Sequence, residues 1–138
     1  MQARVKALAA EAPIRPRSTY ARVGDCYYLC GTIGAEFDVW QRRVSAMSAA
    51  DALFSQQIGL EAVERVMDEI EAKIRAELKS GERLKPRRSP GYGEMPLSLS
   101  AEILEKLDAS RKIGVSLTDS MLLVPAKSVT AICEVERC

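Results

Sequence analysis

Six consecutive residues, Arg87-Arg88-Ser89-Pro90-Gly91-Tyr92, carry the side chains in this chain best suited to holding a small anion, with Lys85-Pro86 just ahead and Met95-Pro96 just behind. A guanidinium presents a planar fork of donors that matches a carboxylate or phosphate. Gly91 allows a backbone to approach a ligand closely, and Tyr92 adds a flat face with a polar tip. The guest favoured by this chemistry is a zwitterion or a nucleotide. A solvated basic loop of Lys85, Arg87 and Arg88 is the competing reading, and loop chemistry alone favours it.

The prolines and glycines of this stretch exclude a helix or a central strand, so the segment is a shaped loop. The chain around it is 138 residues long and 47% hydrophobic, which is one domain's worth with enough apolar side chains for a core. A single domain over 1–138 is expected. Twenty basic residues against nineteen acidic leave a net charge of +1, so no global field recruits nucleic acid or an anionic membrane. Any anion site must be local.

The sequence contains no histidine, which removes the usual general base, the Ser-His and Cys-His nucleophile pairs and the commonest zinc ligand. An autonomous hydrolase is not expected, and no residue is assigned a catalytic or metal-binding role. Cys26, Cys30, Cys133 and Cys138 are read as free thiols, because the N-terminus lacks a secretory apolar region. Cys26 and Cys30 on one strand would stand roughly 13 Å apart, too far for one tetrahedral ion. No apolar run is long enough to span a bilayer, so a cytoplasmic location without membrane association is expected.

The elements that position the loop follow from hydrophobic spacing. Residues 2–12 read as a short helix ending before Pro13, and Thr19 to Val23 with Tyr27 to Ile33 as a hairpin turned at Gly24-Asp25. A helix is expected from Ala35 to Met47, with Phe37, Trp40, Val44 and Met47 on one face. Gly31-Thr32-Ile33-Gly34 before it reads as a tight turn rather than an anion nest. Ala49 to Ile58 and Leu60 to Lys79 are helical, with Gly59 either a break or a weak point. Leu60, Val63, Met67, Ile70 and Ile74 form the second segment's apolar stripe, and Glu61/Arg65, Glu69/Lys73 and Glu71/Arg75 its exposed pairs.

After the loop, Ser98 or Ser100 caps a helix carrying Leu99, Ile103, Leu104 and Leu107, which ends before Gly114. Val115 to Val124 and Ser128 to Val135 read as a second pair of strands joined through Pro125-Ala126-Lys127. Hairpin, helices, hairpin predicts an α+β fold: a mainly antiparallel twisted sheet with packed helices.

The order of motifs also carries a resemblance. Arg87-x-x-x-Gly91-Tyr92, Pro96, a helix, then Arg111-Lys112-Ile113-Gly114-Val115-Ser116-Leu117-Thr118-Asp119-Ser120 and Pro125-Ala126-Lys127-Ser128-Val129 resemble the activation domain of cobalamin-dependent methionine synthase, from about Tyr28 to Val135. That resemblance implies S-adenosylmethionine bound by the loop, with Arg87 on the ligand carboxylate and Ser89, Pro90, Gly91 and Tyr92 as contacts. Tyr92 is open between stacking on the adenosyl group and plugging the core beside Pro96. Alignment to the family puts Glu64 at a ligand-facing helix position, with an ordinary flanking charge as the alternative for it and for Glu71. Glu82 is a weaker second acid.

The resemblance further implies a role in repair, in which S-adenosylmethionine and an electron from a flavodoxin-like or other donor restore methylcobalamin from cob(II)alamin. Cobalamin would enter only through a partner, the corrinoid-binding methionine synthase modules, since this chain lacks the family's Asp-x-His-x-x-Gly signature. Relative to the family the chain is short at its N-terminus. Two other classes remain: an interaction module using the basic Arg83–Arg88 loop to bind nucleic acid or an acidic partner, and a structural protein dimerising through the 60–74 stripe.

Overall fold

The computed structural model describes residues 2–137. β1 (Arg17–Val23) and β2 (Cys26–Thr32) form the expected hairpin, with Arg17 opposite Thr32 and Val23 opposite Cys26. Gly24 takes the positive φ of 66° that closes the turn. β6 (Ser128–Arg137) pairs antiparallel with β2 on one side and with β3 (Glu82–Leu84) on the other, giving the order β1-β2-β6-β3. The α+β, antiparallel expectation holds.

Alternation along the two central strands divides the core between the sheet's faces. Tyr27 and Leu29 of β2 join Ala131 and Cys133 of β6 against Met67, Ile70 and Ile74 of the long helix α3 (Ala49–Glu77). Cys30, with Tyr28 and Ile132 at its edge, packs on the opposite face against Ile103, Leu104 and Leu107 of α4 (Leu99–Leu107) and Ala109 and Ile113 of α5 (Ala109–Ile113). α1 (Gln2–Glu11) and α2 (Ala35–Met47) extend the α3 side through Leu8, Phe37, Trp40 and Val44. Met47, expected on the inner face of α2, is 81% exposed because it lies in the last turn, past the packed region.

α3 runs unbroken through Gly59 for 29 residues, about 43 Å at the usual rise. Ser48 caps its start by accepting from the Asp51 N–H at 3.2 Å. Asp51 is in turn gripped by Arg4, at 3.1 Å from Nε and 2.5 Å from Nη2, which fastens α1 to α3. Val63, Met67, Ile70 and Ile74 are buried as expected, but Leu60 is 42% exposed. Ile58, Ala62 and Val66 take its place because the face continues across Gly59 at helical spacing. Of the expected exposed pairs, Glu71–Arg75 forms at 3.1 Å, but Glu71 is buried rather than exposed because Arg87 also engages it; Glu61 instead accepts from Gln57.

The expected second hairpin is not formed. Val115 to Val124 is interrupted by a turn at Thr118-Asp119-Ser120, whose short polar side chains favour turns over extended pairing. Thr118 N donates to Leu122 O at 2.9 Å, and the flanks become the small pair β4 (Ser116–Leu117) and β5 (Leu123–Val124). A cis Val124–Pro125 bond follows, and β6 departs to pair with β2 and β3. The helix after the loop is split into α4 and α5 at Asp108, which adopts a left-handed conformation with φ 52°.

Two glycines mark where α3 approaches its neighbours most closely. A Cβ at Gly59 would fall 2.7 Å from Phe37 and 2.9 Å from the Lys127 side chain; one at Gly31 would fall 2.8 Å from Val66 and 2.9 Å from Met67. Glycine to alanine inside a helix ordinarily stabilises by about 1 kcal/mol. Gly59→Ala is expected to do the reverse, lowering stability by about 1–3 kcal/mol in a urea unfolding curve through overpacking.

Candidate ligand-binding site

The loop after β3 is tied to the sheet before it turns away. Lys85 N donates to Glu134 O at 2.9 Å, and Arg88 exchanges both backbone hydrogen bonds with Ile132, at 2.9 and 2.8 Å. Residues 85–88 thus prolong the edge of the sheet, which the proline-containing sequence does not announce. Beyond them the loop closes on itself: Gly91 N donates to Met95 O at 2.9 Å, with Gly91 and Gly93 at φ 88° and 59°.

Arg87 reaches across to α3. Its Nη1 donates to Asp68 Oδ1 at 2.8 Å and to Glu71 Oε2, and its Nη2 donates to Glu64 Oε2. Positions 64, 68 and 71 follow the i, i+4, i+7 ridge of one helix, so the three carboxylates converge on one side. Burial works against the charge of Arg87, but the bonds from Asp68, Glu64 and Glu71 outweigh it and raise the pKa above the ordinary arginine value. The group is a permanent cation. Nε–H and one Nη2–H are without a partner among the described residues.

A cavity of about 780 Å³, within the usual range for small-molecule sites, opens beside this cluster. Glu64, Arg87, Ser89, Pro90 and Tyr92 all line it; Gly91 does not, but shapes the loop behind that wall, where a Cβ would meet Leu97 at 3.2 Å. Tyr92 is 76% exposed at the mouth, so it does not plug the core. The guanidinium of Arg88 turns to Glu134 at 3.3 Å while its residue contributes to the wall.

The far wall was not foreseen as part of a site. Met121, Leu122 and Leu123 of the β4–β5 hairpin overhang the cavity, and Ser128, Val129 and Thr130 of β6 form its floor with Ser100. Ser128 Oγ lies 2.8 Å from Thr32 Oγ1 and 2.7 Å from Pro125 O, and Ser100 Oγ lies 3.1 Å from Thr130 Oγ1. Ser100 is therefore a buried partner of β6 rather than a helix cap. The Pro125-x-Lys127-Ser128-Val129 motif was the available signal, since it carries two of these floor residues.

Other expected features lie apart. Glu82 accepts from Arg22 at 3.2 and 2.9 Å and from the Lys79 N–H at 3.0 Å, which fixes it at the start of β3 and away from the cavity. Gly31 and Thr32 belong to β2, Gly34 N donates to Thr32 Oγ1 and Ile33 N to Lys127 O, so the expected Gly31–Gly34 turn is half strand and its free amides are taken up by the protein. Burial pushes the Cys30 and Cys133 thiols up to about 12. The two belong to different core clusters, Cys26 is partly exposed, and Cys138 lies outside the described residues.

No protein-family model matches the chain, and no curated protein does. Among solved structures, one of the MetH reactivation domain bound to AdoHcy matches over 96% of this chain with a TM-score of 0.65, at 17% sequence identity. The chain has the fold of the MetH reactivation domain. It spans 62% of the length of that MetH chain, less than two thirds. The four-stranded antiparallel sheet and its packed helices are thus an α+β architecture already seen in MetH.

The Glu82 cluster has a measurable acid limb. Arg22, with the Lys79 N–H, holds the Glu82 carboxyl down to about 2 from an ordinary 4.5. A depressed carboxyl stabilises the fold above its unfolded-state pKa and loses that contribution as pH falls through the folded one. Stability measured by urea unfolding is expected to decline between about pH 4.5 and about 2, and Glu82→Gln to flatten that decline.

Proposed function

We propose that this protein binds S-adenosylmethionine in the cavity between the 87–97 loop, α3 and β6, and presents it for reductive reactivation of cob(II)alamin on a corrinoid-binding module in methionine synthesis. The observation that carries the reading is the meeting of Arg87 and Glu64 on one wall of a cavity of suitable size. The Arg-x-x-x-Gly-Tyr loop order and the likeness in fold to a MetH domain bound to AdoHcy support it.

The residues fit such a ligand. The uncommitted Nε–H and Nη2–H of Arg87 suit an α-carboxylate, and Glu64 keeps Oε1 for an ammonium or sulfonium. Ser89, Pro90 and the exposed ring of Tyr92 offer contacts for the adenosyl group, with the Gly91 turn behind them. When bound, S-adenosylmethionine supplies an electrophilic methyl group. The chain's own contribution is to hold and orient the donor, which requires no acid or base of its own. The corrinoid-binding modules and a flavodoxin-like or other electron donor are the partners this role requires, with 1–138 acting as one unit.

The alternative readings have less support. In the basic stretch Arg83 pairs with Glu136 at 2.6 Å, Lys85 and Arg88 with Glu134 at 3.8 and 3.3 Å, and Arg87 with its three acids, so a phosphate backbone would meet no unopposed positive face there. Of the 60–74 stripe, Val63, Met67, Ile70 and Ile74 are buried in the protein's own core, which leaves Leu60 alone exposed for a partner. No helix among the described residues is long and apolar enough to cross a membrane.

Isothermal calorimetry is expected to register saturable binding of S-adenosylmethionine. Arg87→Ala should weaken it by at least about tenfold, the value of one charge-assisted forked pair at about 1.5–3 kcal/mol. Arg87→Lys, which keeps the charge on the acidic ridge but loses the fork, should behave similarly with an unchanged melting temperature. Absence of heat at millimolar ligand would remove the proposal.

A further inference from the structure

Asp68 and Glu71 lie outside the cavity lining, yet both bind the guanidinium that forms part of it. Glu71 is buried, with its side chain 10% exposed, and both of its oxygens are engaged: Oε1 by Arg75 Nη2 at 3.1 Å and Oε2 by Arg87 Nη1. Asp68 takes the same Nη1 at 2.8 Å from the exposed side. The nitrogen is therefore held from two directions by one helix. Glu64 holds Nη2, so three acids restrain the guanidinium plane, and two of them do so from outside the cavity lining.

We infer that Asp68 and Glu71 are positioning residues for the bound ligand's carboxylate: they lock the plane of Arg87 so that its Nε–H and remaining Nη2–H form a ready fork. The inference rests on the ligand reading above and deepens it. Immobilising an arginine side chain costs rotamer entropy, and a guanidinium already fixed before binding spares the ligand most of that cost.

The charge count makes the positioning role separable from a simple field effect. Glu64, Asp68 and Glu71 face Arg87 and Arg75, three negative charges against two positive, which leaves one negative charge on this wall. Removing an acid makes the wall more positive. If charge alone mattered, neutral variants would bind a carboxylate-bearing ligand more tightly. Positioning predicts the opposite sign.

The test uses the whole chain, S-adenosylmethionine and decarboxylated S-adenosylmethionine, titrated side by side in the parent protein, Asp68→Asn and Glu71→Gln. The parent is expected to prefer the carboxylated ligand by about tenfold, the contribution of the fork. Each variant should lose about three- to tenfold in affinity for S-adenosylmethionine while the decarboxylated ligand changes by less than about twofold, so the preference collapses. Asp68 is exposed, so Asp68→Asn leaves the core untouched and remains informative should Glu71→Gln fold poorly. An unchanged or enlarged preference, or an equal loss for both ligands, would overturn the positioning role while the ligand reading stands. A parent chain that binds neither ligand would overturn both.

Discussion

The constraint beneath the whole arrangement is the close approach of α3 to the sheet and to α2, made possible by two positions that carry no side chain. Gly31 on β2 admits Val66 and Met67, and Gly59 on α3 admits the Phe37 ring and the Lys127 stem. Any side chain at either position would lift the helix or tilt it. With the helix seated, its 64–68–71 ridge comes within reach of a loop that leaves the far edge of the sheet. The contact between Arg87 and the ridge is thus a product of core packing, although the atoms that make it are partly exposed.

That contact joins parts of the chain with quite different character. α3 is a long helix buried along one face, whereas the 89–97 loop is exposed for most of its length and rich in glycine and proline. A guanidinium with two donors to spare is an economical junction, because it can satisfy the helix acids and still offer a planar edge to a guest. A lysine in the same place would bind the acids as a point charge and would have no second edge to offer.

Much of this was readable from spacing. The β1–β2 hairpin, α2 and the buried face of α3 follow directly from period-two and period-3.6 patterns, and the Arg87 loop stands out by composition. What could not be read were the long-range pairings. Nothing local in Ser128–Arg137 says that it lies between β2 and β3, and the three-residue β3 is too short to declare itself. For the site, Glu64 was legible as an acid on the edge of a stripe. Asp68 was not, because an exposed aspartate on a helix looks like any other until the loop's course is known. The hairpin over the cavity was hidden for a related reason: Val115 to Val124 has strand-like composition at both ends, and only the Thr118 turn divides it.

The double hydrogen bond between Arg88 and Ile132 bears on how a molecule would come and go. Because the root of the loop is stitched to β6, displacing the wall that carries Arg87 requires breaking those two bonds and the contacts of Arg87 with α3. The Gly91-Tyr92-Gly93 tip is exposed and bent at two positive φ angles, and it lies outside that pairing. A guest could therefore come and go without disturbing the Arg88–Ile132 pairing, since Tyr92 and Gly93 line the cavity from the exposed tip and not from the stitched root.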